Sequence, residues 1–126
     1  MRVVDLDRDM SDVIPTGMSR DSEFLFARMT EATLWATCAG SGRRVLDVAS
    51  GVGQDSIALV REGAYVIGAE PSARMTAMAE AFGSASLDEG DRKPAWVRGW
   101  ADALPFEDDA FDSSFCKGAM DHFDDP

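Results

Sequence analysis

Residues 45–55 place an acidic residue and two glycines where a short apolar segment ends. The segment reads VLDVASGVGQD, so Asp47 lies in the apolar run and Gly51 and Gly53 follow it. Glycines at such a point let the backbone approach a ligand closely, where a strand is followed by a helix. Because a carboxylate repels pyrophosphate and attracts a cation, Asp47 favours a positively charged ligand over a dinucleotide.

Two further acidic residues follow the next two apolar segments. Glu70 comes directly after the run 64–69, and Asp102 lies shortly after the run 95–98. A carboxylate has two acceptor oxygens, which match the two hydroxyls of a ribose, and it can also accept from an exocyclic amine. We therefore expect Glu70 at a ribose and Asp102 at a base, with Ala103 packed against that base.

Each of these residues also has an ordinary structural explanation. The two glycines could simply close a tight turn, and Asp47 could cap the helix that follows. Glu70 could be a solvated strand end, and Asp102 a common loop residue. The cofactor interpretation depends on all of them occurring together, in this order.

The elements that must position these residues alternate along the chain. Apolar runs and helical periodicity predict strands at 44–49, 64–69, 95–98 and 110–116, helices at 21–38 and 54–62, and a third helix from Ser72 to a loop at 83–94. This alternation builds a parallel sheet with right-handed crossovers, in which ligands bind at the carboxyl ends of the strands.

Two of the predicted helices show apolar residues at helical spacing. In the third helix, Met75, Met78, Ala79 and Phe82 fall on one face, and we expect Met75 and Met78 in the core. In the first helix, Leu25 and Met29 are aligned in the same way. In both segments this spacing supports the prediction of a helix.

The composition disfavours several classes of partner. The chain has 126 residues, with 12 Lys and Arg against 23 Asp and Glu, which gives a net charge of −11. Nucleic acids and anionic membranes need clustered cations, so neither is an expected partner. Apolar stretches are too short to span a membrane, and residues 1–20 form a polar arm without a signal-peptide core, so a cytoplasmic location is expected. Cys38 and Cys116 have no metal-ligand spacing, and no metal site is expected.

Taken in order, these motifs resemble class I S-adenosylmethionine-dependent methyltransferases, in particular the branch that acts on small molecules. Residues 47–53, DVASGVG, are similar to the family's Asp-x-Gly-x-Gly-x-Gly loop, with Ala49 in place of the first glycine. Residues 104–112, LPFEDDAFD, resemble its Leu-Pro-Phe-x-Asp-x-x-Phe-Asp run, and residues 117–124 occupy the place of its Leu-His-His segment. The resemblance covers about residues 44–126.

The resemblance implies a Rossmann-like, three-layer α/β/α fold whose mainly parallel sheet has the strand order 3-2-1-4. It implies S-adenosyl-L-methionine as the cofactor and methyl transfer to a small-molecule acceptor. The residues it assigns to cofactor binding are Asp47, Ala49, Gly51, Gly53, Glu70, Pro71, Asp102, Ala103 and Lys117. It identifies no catalytic residue, because His122 occupies a position that commonly structures the turn after the fourth strand.

Members of the resembled family have a seven-stranded sheet. We therefore expect residues 21–126 to be an incomplete methyltransferase domain, whose open fourth strand invites self-association or a complementing chain. Two functions stay open: the cofactor-binding half of a methyltransferase, or a catalytically inactive S-adenosylmethionine-binding module. A half-domain of a nucleotide-dependent oxidoreductase is disfavoured by Asp47, and by Ser56 at the position of the third glycine of a dinucleotide motif.

Overall fold

The computed structural model describes residues 19–123 and residue 125. The elements within them are α1 (Arg20–Ala36), β1 (Arg44–Val48), α2 (Gln54–Arg61), β2 (Tyr65–Ala69), α3 (Ala73–Ser86), β3 (Ala95–Val97), β4 (Ser113–Cys116) and a 3-10 turn (Met120–His122). Most of the predicted polar arm, residues 1–18, lies outside the described residues. Ser19 caps α1, and its hydroxyl accepts from the amide of Ser22.

The strands of the described residues form one four-stranded sheet in the order β3-β2-β1-β4. All neighbouring strands in it are parallel. The predicted strand order and the Rossmann-like fold are therefore confirmed. Gly68 lies between Asp47 and Trp96 in register, and Asp47 is paired with Phe115 on its other side. A row of residues thus crosses the sheet near the carboxyl ends of its strands.

The described helices share one core on one face of the sheet. The buried members of that core are Val45, Ile57, Leu59, Val60, Ala64, Val66 and Leu87, and Leu34 and Phe115 pack against them. Because side chains alternate along a strand, the neighbours of Val45 and Val66 point to the opposite face. There Tyr65 and Ile67 line a groove with Phe106 and Phe111, whose rings meet edge to face with centroids 5.0 Å apart.

Helix α3 differs from its prediction in length and in the residues it buries. It continues to Ser86 and so passes through the predicted start of the loop at Gly83. Gly83 is buried, and a Cβ there would lie only 3.3 Å from Cδ1 of Ile57. Met78, which we expect in the core together with Met75, is 38% exposed, and Phe82 on the same face is 39% exposed. The prediction is wrong for Met78 because α3 approaches α2 closely through its small buried residues, Ala79 and Gly83.

Helix α1 is confirmed, but the side chains aligned on its predicted face are exposed. None of residues 20–36 is buried, and Leu25 and Met29 are 57% and 36% exposed. The helix is attached through its C-terminal end, where Leu34 packs against the core. Just beyond it, the carbonyl of Thr37 accepts from the hydroxyl of Ser113 at 2.9 Å.

Candidate functional site

The segment between β1 and α2 turns through left-handed backbone conformations. Ala49, Gly51 and Gly53 have φ angles of 57°, 55° and 77°. A residue with a side chain is disfavoured in this region by about 1–2 kcal/mol. Ala49 therefore carries strain at the position where the resembled family has a glycine. The amide of Gly53 donates to the carbonyl of Ser50 at 2.9 Å, which closes the turn before α2.

Glu70 holds this segment, residues 49–53, through its side chain, and we call these residues the glycine segment. Its Oε2 accepts from the amide of Gly51 at 3.0 Å, and its Oε1 accepts from the amide of Ser72 at 2.9 Å. Its own amide donates to the carbonyl of Val97 at 3.0 Å. The structure thus brings Glu70 and the glycine segment, which are separate in sequence, into direct contact at the carboxyl end of the sheet.

Asp47 is buried in β1, directly before the glycine segment. It is 3% exposed, and its Oδ2 accepts from the hydroxyl of Ser56 at 2.7 Å. Burial raises the pKa of the Asp47 carboxyl to about 7; Asp55 and Glu70 add to this rise, whereas the Ser56 hydrogen bond and Lys117 oppose it. A carboxyl group in this state gains from a nearby positive charge, because a cation stabilises the ionised form that burial disfavours.

Lys117 lies close enough to this group to affect its charge. Its ammonium forms an ion pair with Oδ1 of Asp55 at 2.7 Å, and both side chains are about four-fifths buried. The pair joins the first turn of α2 to the segment that follows β4. The predicted residues Asp47 and Lys117 therefore belong to one electrostatic cluster.

The remaining predicted residues lie in segments that follow β2 and β3. The carbonyl of Pro71 accepts from the guanidinium of Arg98 at 2.6 and 3.2 Å, which fastens the segment after β2 to the end of β3. Asp102 and Ala103 are exposed in a turn, where the amide of Ala103 donates to the carbonyl of Trp100 at 3.0 Å. Pro71 is thus connected with the end of β3, and Asp102 and Ala103 lie in the turn that follows β3.

Sequence reasoning missed Trp96, whose indole lies against the glycine segment. A Cβ at Gly68 would lie 2.5 Å from two atoms of this ring, and a Cβ at Gly53 would overlap it. The signal that could have found it is Gly68 itself, because a glycine inside a strand often marks the close approach of another group. Ser56 donates a hydrogen bond to Asp47, a role that its departure from the dinucleotide motif does not indicate.

Among the described residues, neither His122 nor the possible metal ligands point to a second site. The side chain of His122 is 60% exposed, with its Nε2 3.9 Å from Oδ2 of Asp121. Among residues 19–123 and 125, no three His, Cys, Asp or Glu side chains come together as a metal site. No helix in the described part of the chain is both long and apolar enough to cross a membrane.

The family profile and the curated proteins that this chain resembles are all described as methyltransferases. Residues 46–126 match the profile of a family described as "Methyltransferase domain". A demethylmenaquinone methyltransferase of Clavibacter sepedonicus is 39% identical over 82 residues, which are 65% of this chain and 31% of that protein. One of Beutenbergia cavernae is 38% identical over 106 residues, 82% of this chain and 37% of that protein. The chain thus spans about a third of the length of these curated relatives.

Solved structures share the fold. The YcgJ protein from Bacillus subtilis aligns with a TM-score of 0.70 at 27% identity, over 79% of this chain and 41% of that one. Magnesium protoporphyrin IX methyltransferase from Synechocystis PCC 6803, solved with bound S-adenosylmethionine, aligns with a TM-score of 0.73 over 94% of this chain and 61% of that one. At 22% identity, this second likeness concerns the fold alone.

Proposed function

The chain belongs to the methyltransferase-domain family, and from this premise we propose that it forms the cofactor-binding part of an enzyme that methylates a small molecule. S-adenosylmethionine is the cofactor, and when bound it supplies an electrophilic methyl group on a sulfonium. The observation that carries the proposal is the hydrogen bond from Gly51 to Glu70, beside the buried Asp47.

The described residues fit a cationic nucleoside. A Cβ at Gly51 would meet only the terminal methyl of Met75, at 3.5 Å, so the backbone of this turn is open to close approach. Both oxygens of Glu70 accept backbone amides, and each has a further lone pair for a ribose hydroxyl. Asp47 is the buried acid that a sulfonium or ammonium group would stabilise in its charged form.

The proposed roles follow the order of these residues along the cofactor. Asp47 and the backbone of Ala49, Gly51 and Gly53 receive the methionine end, with the backbone at Lys117 close by. Glu70 and Pro71 receive the ribose. Asp102 and Ala103, in the turn after β3, lie beside the adenine.

In this proposal the chain contributes mainly by positioning its cofactor for attack by an acceptor. Correct alignment of reacting groups can lower a barrier by roughly 7–11 kcal/mol. The acceptor is a small molecule of unassigned structure. Because curated relatives are named demethylmenaquinone methyltransferases, a demethylmenaquinol is the first acceptor to test.

Cofactor binding is tested by calorimetry with S-adenosylhomocysteine. Wild-type chain is expected to bind it saturably, and Glu70→Ala to weaken binding by about 1.5–3 kcal/mol, typical of hydrogen bonds lost to a charged group. Glu80→Ala, on the exposed side of α3, removes the same charge and is the matched control. A thermal melt of each variant separates lost binding from lost folding. Binding of NADH without binding of S-adenosylhomocysteine would contradict the proposal.

Methyl transfer is tested separately with S-adenosylmethionine that carries a radiolabelled methyl group. Transfer to demethylmenaquinol, or to a small molecule from a cell extract, would support the enzyme. Saturable binding without transfer to either would instead favour the inactive S-adenosylmethionine-binding module.

A further inference from the structure

We propose that Trp96 is a positioning residue for the cofactor: its indole fills the space left by Gly53 and Gly68 and fixes residues 49–53 in the conformation that receives the methionine end. The inference rests on the proposed function, because it concerns the same site. It adds a residue that contacts the glycine segment from the sheet side.

The register of the sheet places Trp96 where its indole can fill the space beside Gly53 and Gly68. Trp96 in β3 is paired with Gly68 in β2, which is paired with Asp47 in β1. Gly68 separates the two side chains and has none of its own. The indole therefore extends over β2 toward the segment that follows Asp47.

The close approach of the Trp96 indole, together with the Ser50 hydroxyl, explains why residue 68 is a glycine. A glycine weakens the interior of a strand relative to alanine, so its presence in β2 calls for an explanation. A Cβ at this position would lie 2.5 Å from two atoms of the Trp96 ring and 2.8 Å from the hydroxyl of Ser50. Ser50 is part of the same segment, and its hydroxyl is buried without a hydrogen-bond partner among the described residues.

Gly53 is the residue of the glycine segment that the indole contacts. It is buried, has a φ of 77° and caps α2, where its carbonyl accepts from the amide of Ile57 at 3.0 Å. A side chain here would overlap Trp96. Because Glu70 holds Gly51 and Trp96 contacts Gly53, the segment is fixed at two places. Loss of the indole would leave the segment fixed only at Gly51.

Hydrogen exchange in the ligand-free chain tests whether the indole fixes the segment. In Trp96→Val, the Gly53 amide, which donates to Ser50, is expected to exchange about tenfold faster or more, as local opening becomes easier. The amide of Leu46 in β1 is expected to keep its rate. Trp35→Val, at a side chain that is 83% exposed, is the matched control. An unchanged rate at Gly53 would overturn the inference.

Ligand binding tests the consequence for the cofactor. Trp96→Val is expected to bind S-adenosylhomocysteine about tenfold more weakly but adenosine, which lacks the methionine end, less than about threefold more weakly. Trp96→Phe should restore most of the affinity for S-adenosylhomocysteine. Both ligands are titrated below the melting transition of each variant, with near-ultraviolet circular dichroism as the check on folding. Equal losses for the two ligands would show a merely structural role and overturn the inference.

A second pair of variants tests the contact directly. Gly68→Ala should weaken S-adenosylhomocysteine binding, because its Cβ forces the indole away. The same change made in Trp96→Val should cost less, since the smaller side chain leaves room. Additive losses would count against the inference. Should the wild-type chain bind no S-adenosylhomocysteine, the proposed function fails, whereas the exchange rate at Gly53 still decides the role of Trp96.

Discussion

At the scale of single residues, the burial of Asp47 has the largest physical consequence. Its carboxyl is 3% exposed and has its pKa raised to about 7 by desolvation, although Ser56 donates a hydrogen bond to it. In the unfolded chain the same group has its ordinary pKa of 3.8. The folded state therefore binds this proton more tightly than the unfolded state does.

This difference predicts a pH-dependent stability. Stabilisation from the protonated Asp47 is complete below pH 4 and is lost as the pH rises to about 7, by about 4 kcal/mol in total at 1.36 kcal/mol per pKa unit. Asp47→Asn removes the titration and keeps an acceptor for Ser56, so above pH 7 it should be the more stable chain. Urea unfolding at several pH values measures the free energy of unfolding of both chains. Parallel pH profiles of the two chains would contradict the prediction.

At the scale of elements, the start of α3 connects helix stability to the site. The hydroxyl of Ser72 accepts from the amide of Met75 at 3.1 Å, and the amide of Ser72 donates to Glu70 at 2.9 Å. The residue is 4% exposed, so water does not readily replace the cap when the hydroxyl is removed. The N-cap of α3 thus also orients the acid at the end of β2.

Ser72→Ala should therefore lower the free energy of unfolding by about 1–2 kcal/mol, the upper part of the range for a lost N-cap. Ser19→Ala removes the exposed cap of α1, and about 0.5 kcal/mol is expected there. Chemical unfolding followed by circular dichroism compares the two. Equal effects would show that burial of the Ser72 cap has no energetic weight.

At the scale of the whole molecule, β4 stands at the edge of the sheet formed by the described residues. It is paired with β1, and the order of strands places no described strand on its other side. Such an edge has unpaired backbone groups that can pair with another chain. Exposed side chains of α1, including Phe24 and Trp35, add apolar surface to the same molecule.

We expect the chain to self-associate through this edge as its concentration rises. Ser114→Lys places a charge on the exposed part of β4 and should shift the equilibrium toward the monomer. Ser84→Lys makes the same change on the exposed side of α3 and should have no effect. Size-exclusion chromatography with light scattering over a concentration series measures both. A wild-type chain that stays monomeric throughout the series would contradict the expectation.

Local features of the sequence predicted the strands and the place of the glycine segment, whereas the order of the strands followed from the family resemblance. The apolar runs that end at Val48 and Ala69 are short enough to be strands, and parallel connections allow few topologies. Sequence reasoning could not predict that α3 would continue through Gly83, since that outcome depends on the distance of Ile57 on another helix. Nor could it predict that Met78 would be exposed, because that also depends on how α3 packs against α2.

By itself, the sequence determined that Glu70 and the glycine segment meet at the carboxyl end of the sheet, because each follows a strand and parallel strands end at the same edge. The tertiary structure alone decided how far Asp47 is removed from water, and that Trp96 occupies the space over Gly68. Desolvation and packing both sum over neighbours that are distant in sequence. Gly68 is a local sign of the packing, whereas no local pattern shows the burial of Asp47. The burial sets the charge of the site, and the packing, in our proposal, sets its rigidity.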